Sequence, residues 1–189
     1  RLVQTLVNPL DGEALYEVLA SEMIDLSTDE LLQLASRFDE ETQQSKRQSL
    51  PKGFARLVQS GVTPDGALGL AVSLYRQAQQ ELESLSCSRV VTNMVIRSGW
   101  LWRLEQQGAT GKAQSANILK ALRLLKSLEQ DKHLALASLA AVFSAELSQA
   151  KEAPGSLSGE GDNVVKIMTI HASKGLEFPL VALAEFEAK

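Results

Sequence analysis

The side chains whose types and spacing could do chemistry gather near the C-terminus, in His171-Ala172-Ser173-Lys174-Gly175. The run before them, Val164 to Ile170 (V-V-K-I-M-T-I), is β-branched and almost continuously apolar, as in a strand buried on both faces. Leu180 to Ala184 reads as a second buried strand, with Pro179 at its start, where proline is tolerated. A polar, Gly-containing loop at the carboxyl end of a buried strand is where α/β sheets bind ligands. An ordinary strand–loop–strand whose loop happens to hold a His and a Lys fits the spacing equally. Metal chemistry is not expected, because Cys87 is the single cysteine and the two histidines, His133 and His171, are far apart.

The letters themselves carry more than the spacing. M-T-I-H-A-S-K-G-L-E-F-P-L-V, from Met168 through Val181, closely resembles motif V of the UvrD/Rep-like superfamily 1 DNA helicases, a group that includes the RecB and AddA recombination nucleases. The resemblance implies that this stretch belongs to a second RecA-like motor domain, between an ATP cleft and a single-stranded DNA track. It implies that Thr169 and His171 face the DNA backbone, and that Gly175 and Glu177 lie on the nucleotide side, Glu177 near the ribose. The residue types suit those roles. A hydroxyl and an imidazole N–H donate to phosphate oxygens, glycine permits close backbone approach, and a carboxylate accepts from ribose hydroxyls. Lys174 is either a positive charge beside DNA or a solvated loop lysine.

A second candidate set comes from periodicity. Over Lys112 to Glu129 a helix is expected, with Lys112, Lys120, Arg123 and Lys126 within an arc of roughly 120° at about 100° per residue. Ile118, Ala121, Leu122, Leu124, Leu125 and Leu128 fill the opposite side, with Leu119 the exception. Such a stripe either lies along a phosphate backbone or is a solvated face. Trp100 and Trp102 could stack on bases, but core packing of at least one is the expectation. Gly108-Ala109-Thr110-Gly111-Lys112 is not a phosphate loop. Gln106 stands at its first glycine position, Ala113 at its Ser/Thr position, and no strand precedes it. A helix–helix turn is expected there.

The elements that position these residues read as mainly helical. Arg1 to Val7 ends a helix before the turn Asn8-Pro9-Leu10-Asp11-Gly12, and Glu13 to Ala20 resumes one. Ser27-Thr28-Asp29-Glu30 is a capping box opening a helix that is expected to bury Leu31, Leu34, Ala35 and Phe38. Residues 39–50 form a polar connection. Pro51 starts a short helix that ends near Gly61, and Thr63-Pro64 is expected to cap a long one carrying Leu68, Ala71, Leu74, Tyr75, Ala78, Leu82 and Leu85. Ser86 is expected to cap the next, through Ile96. A helix starting at His133 is apolar nearly all round, which predicts a buried central helix. Pro, Gly and Ser make 151–163 a flexible linker. The N-terminal stretch N-P-L-D-G-E-A-L-Y-E-V-L-A-S resembles the entry to the helical insertion of these helicases, subdomain 2B. Ser21 to Leu26 replaces the Pro-x-Arg-Gly-Ile-Gly segment of the UvrD and Rep branch, which is closer to RecB and AddA.

The 189 residues, 44% hydrophobic with net charge −4, suit one globular domain of ordinary size. No signal peptide or membrane span is expected, and a cytoplasmic setting follows. Charge is uneven: 2 Lys/Arg against 10 Asp/Glu over 1–41, 13 against 6 over 42–133, and 4 against 7 over 134–189. The basic middle suits DNA and the acidic start suits a protein partner. The expected fold is therefore mainly α: a 2B-like helical bundle over 1–150, the linker, and a motif V piece over 164–189. Both ends read as cut from a longer protein. The resemblance implies a parent ATP-dependent DNA helicase, with or without a nuclease, that uses ATP and Mg²⁺ on single-stranded DNA and its junctions with duplex. A second helicase-nuclease subunit is a candidate partner. The chain alone is expected to hold no nucleotide and no complete catalytic site. The alternatives are a non-catalytic helical module that docks a partner, and a degenerate helicase-like protein.

Overall fold

The computed structural model describes residues 1–39, 43–132, 134–149, 173 and 180–182. The chain divides into two units, Arg1–Leu157 and Ser158–Lys189. Among the described residues there are nine helices and one two-stranded antiparallel sheet, all in the first unit. The mainly helical expectation holds. In the second unit Leu180 and Val181, expected in a buried strand, are exposed and lie in no strand. An apolar strand forms only beside a partner, and the two described strands pair with each other.

Helix α1 (Leu2–Val7) stops before Pro9, and Asn8 Oδ1 accepts from Leu10 N at 3.2 Å. Helix α2 (Gly12–Leu19) is capped by Asp11, whose carboxylate accepts from Ala14 N at 3.0 Å. Helix α3 (Thr28–Leu34) carries the full capping box: Glu30 N donates to Ser27 Oγ, and Ser27 N donates to Glu30 Oε2 at 2.8 Å. Its far end departs from expectation. Phe38 is exposed and belongs to a hairpin, β1 (Ser36–Asp39) with β2 (Gln44–Arg47), Ser36 opposite Arg47 and Asp39 opposite Gln44. The helix stops because distant groups take its end. Gln48 Nε2 donates to the carbonyls of Leu34, at 2.8 Å, and Ser36, at 2.7 Å. Gly53 packs so close that a Cβ there would lie 1.8 Å from Leu34 O. The connection expected over 39–50 is thus largely this hairpin.

Helix α4 (Leu50–Gln59) buries Phe54 and Val58, and α5 (Gly66–Glu81) buries Val72, Leu74 and Tyr75. Phe54 meets Tyr75 edge-on, with centroids 5.1 Å apart. The expected cap at Thr63 is displaced to Asp65. Gly66 has φ +71, incompatible with a helix already running, and Thr63 Oγ1 instead accepts from Arg76 Nη1 at 3.0 Å. Arg76 also donates to the carbonyls of Val58 and Val62, tying α4 to α5.

Helix α6 (Cys87–Arg97) turns sharply into α7 (Trp100–Glu105) through Gly99, at φ +69. Arg103 on α7 donates to the carbonyls of Glu22 and Met23, fixing the turn after α2 whose Met23, Ile24 and Leu26 are buried. Trp100 packs on the core while Trp102 is 67% exposed, as the tryptophan expectation allowed. Helix α8 (Ala109–Lys132) follows the turn expected at Gly108 and buries Leu125 and Leu128. Helix α9 (Leu136–Gln149) lies against α1 and α8 but buries only Leu139 and Ala140 fully, so it is not central. An apolar circumference gives no face preference, and only the side meeting its neighbours is covered. His133, the linker 151–163 and the motif run outside 173 and 180–182 lie beyond the described residues.

Candidate functional site

The described residues with the clearest site geometry lie where α8 crosses the start of α6. Ser86 precedes α6 at the expected cap position, but its side chain does not cap the helix. The cap comes from Glu129 on α8, whose carboxylate accepts from Cys87 N at 2.7 Å and Ser88 N at 3.0 Å. A carboxylate on two free amides at a helix N-terminus is favoured by both hydrogen bonding and the helix dipole. It fixes the position of α8 on α6. Burial pushes the Cys87 thiol up to about 11, and the neighbouring Glu129 charge acts in the same direction. That thiol is a packed apolar group and a poor nucleophile.

Fixing Glu129 places the preceding turns of α8 opposite Ser88, Arg89 and Thr92 of α6 and the Ser84–Ser86 turn. The result is an open groove of about 630 Å³. Leu85, Leu119 and Leu122 give it apolar walls, and Arg89, Arg123 and Lys126 line it with positive charge. The three cations are exposed, and none of them takes part in the ion pairs found among the described residues. The hydroxyls are already engaged: Thr92 Oγ1 donates to Ser88 O at 2.7 Å, and the Ser86 and Ser88 hydroxyls are 3.3 Å apart. The groove can therefore bind anionic groups through long, mobile cations and apolar groups through leucine. The α6 amides nearest to it are spent on Glu129.

The basic stripe of α8 is on the surface, with Lys112, Lys120, Arg123 and Lys126 all exposed. The structure splits it. Arg123 and Lys126 line the groove, whereas Lys112 and Lys120 do not. At about 1.5 Å per residue, Lys112 lies roughly 21 Å along the helix from Lys126. Thr169, His171, Lys174, Gly175 and Glu177 fall outside the described residues. Sequence reasoning missed Arg89 and Glu129. Arg89 sits in a segment read only for its cap, and Glu129 acts 42 residues from Cys87, where local patterns carry no signal. Among the described residues no three His, Cys, Asp or Glu side chains converge as a metal site.

The model of the UvrD-like helicase C-terminal domain matches residues 3–189 of the chain. The AddA-type ATP-dependent helicase/nuclease chain of Acetivibrio thermocellus is 29% identical over 188 residues, covering 97% of this chain and 14% of that protein. Its counterpart in Carboxydothermus hydrogenoformans is 30% identical over 178 residues, 92% of this chain and 14% of that protein. The counterpart in Levilactobacillus brevis is 25% identical over 193 residues, 97% of this chain and 15% of that protein. The chain thus spans about one seventh of the length of these relatives. No solved structure matches it significantly.

Proposed function

The chain belongs to the UvrD-like helicase C-terminal domain family, and from that premise we propose that it works within an ATP-dependent DNA helicase of repair and recombination. That helicase moves along single-stranded DNA and separates duplex as it hydrolyses ATP with Mg²⁺. Residues 1–150 are its 2B-like accessory region and 164–189 its motif V segment, joined by the linker 151–163. The observation that carries this reading is the string Met168 to Val181 within a chain matched by the family model from residue 3 to 189.

In this reading Thr169 and His171 donate to DNA phosphates and Lys174 adds positive charge beside them. Gly175 lets the backbone approach the nucleotide, and Glu177 accepts from its ribose. Lys112 and Lys120 add charge toward DNA outside the groove. The relatives are named as one subunit of a helicase/nuclease. A nuclease activity and a second subunit are therefore part of the same proposal.

Two assays test it. The isolated chain, which carries no phosphate loop, should show no ATP turnover. The whole helicase should unwind a duplex bearing a 3′ single-stranded tail only with ATP and Mg²⁺. Turnover by the isolated chain, or no ATP-dependent unwinding by the whole enzyme, would contradict the reading.

A further inference from the structure

We propose that the α6–α8 groove is a docking site for an acidic amphipathic helix of a partner subunit. The proposal rests on the reading of this chain as part of a multi-subunit enzyme. The groove combines two features that one ligand must satisfy together. Leu85 and Leu119 are each 39% exposed within it, and Leu122 is half-buried beside them. Leucine side chains open to water inside a concavity gain by meeting apolar groups, at about 25 cal/mol per Å² removed from water. Around them stand Arg89, Arg123 and Lys126, in a chain whose first 41 residues are strongly acidic but whose middle is basic.

A phosphate backbone would use the cations and leave the leucines uncovered. Bases seat on aromatic rings in most single-strand tracks, and no aromatic side chain lines this groove. A helix with an apolar stripe and flanking Asp or Glu meets both demands: its stripe covers the leucines and its carboxylates reach the cations. The size agrees. Leu119 to Gln130 along α8 spans about 16 Å, or roughly three turns of a docked helix. Interfaces with an apolar centre and a charged rim have this layout. Glu129 shapes the groove without competing for the ligand, because its carboxylate is held by the α6 amides.

The test uses the whole 189-residue chain. Sixteen-residue peptides displayed on phage are selected on it, and the enriched peptides are synthesised with a fluorescein label and titrated by anisotropy. A duplex with a 3′ single-stranded tail is titrated in parallel. The expected result is enrichment of acidic peptides with apolar residues at i, i+3, i+4 and i+7. Their binding should fall at least tenfold with Leu119→Asp and also with Arg123→Glu/Lys126→Glu, and should be unchanged with Lys112→Glu. Circular dichroism melting of each variant shows that the fold persists, as expected for exposed positions. The proposal is overturned if no such peptides are enriched, or if their binding ignores both groove substitutions. It is overturned equally if the groove takes DNA instead, with tailed-duplex binding lost on Arg123→Glu/Lys126→Glu and untouched by Leu119→Asp. None of these results bears on unwinding by the whole helicase, so failure here is distinct from failure of the helicase reading.

Discussion

Two helix ends in this fold are sealed from far along the chain, and they are sealed differently. The C-terminal end of α3 is closed by a neutral amide, Gln48, and by the bare backbone of Gly53 pressed against Leu34 O. The N-terminal end of α6 is closed by a charged side chain, Glu129, on two amides. The first seal is steric and tolerates no added atom. The second is electrostatic and sits on a flexible side chain that substitution can remove without a clash. The steric seal fixes how α3 and the hairpin meet α4. The electrostatic seal fixes how α8 lies on α6, and hence the shape of the groove.

The sharpest way to break this contrast is Gly53→Ala. The added Cβ meets backbone, so α3 must move off α4, and the loss should be about 3 kcal/mol or more in urea unfolding. Glu129→Ala should come next. It leaves the Cys87 and Ser88 amides without their partner and should cost about 2 kcal/mol. Its signature would be weaker hydrogen-exchange protection at the start of α6, with α3 unaffected. An equal cost for the two substitutions would erase the distinction.

Two smaller predictions set local bonds against these distant ones. The buried Tyr75 hydroxyl lies 2.7 Å from Thr5 Oγ1, and burial pushes its pKa up to about 12 against the pull of that bond. A raised folded pKa means its contribution is complete below the unfolded value near 10 and is lost as pH rises toward 12. Tyr75→Phe should therefore cost about 1 kcal/mol at neutral pH and flatten the alkaline fall in stability. Ser27→Ala should cost about 1 kcal/mol through loss of the α3 cap. The Ser27 side-chain and backbone hydrogen bonds hold the Glu30 carboxyl below the usual range. That contribution is full above the unfolded carboxylate pKa and fades as pH falls through the lower folded one. The gap between wild type and Ser27→Ala should shrink on acidification, as thermal melts across pH would record.

What could be read from the letters follows the range of the physics. The Ser27 box, the stop before Pro9 and the amphipathic α8 are set by residues within four positions of one another, and each appeared where the pattern placed it. The hairpin did not, because S-R-F-D and Q-S-K-R lack apolar alternation and are held by their ladder and the Lys46–Asp39 pair. The α5 start moved by two residues because Arg76, thirteen positions on, claims Thr63. Helix α9 misled because an apolar circumference says nothing of which neighbours exist. Of the candidate site, Arg123 and Lys126 were legible as a stripe. Their grouping with Arg89 depends on Glu129, a contact no window of sequence contains.

The most direct measurement is ATP hydrolysis by the whole helicase, with and without single-stranded DNA, for Thr169→Ala, His171→Ala and Glu177→Ala. If this stretch couples nucleotide to DNA, the first two should lose at least tenfold of the DNA stimulation with little change in KM for ATP. Glu177→Ala should instead raise that KM. Stimulation unchanged in all three variants, or a wild-type enzyme whose ATP turnover ignores DNA, would contradict the account.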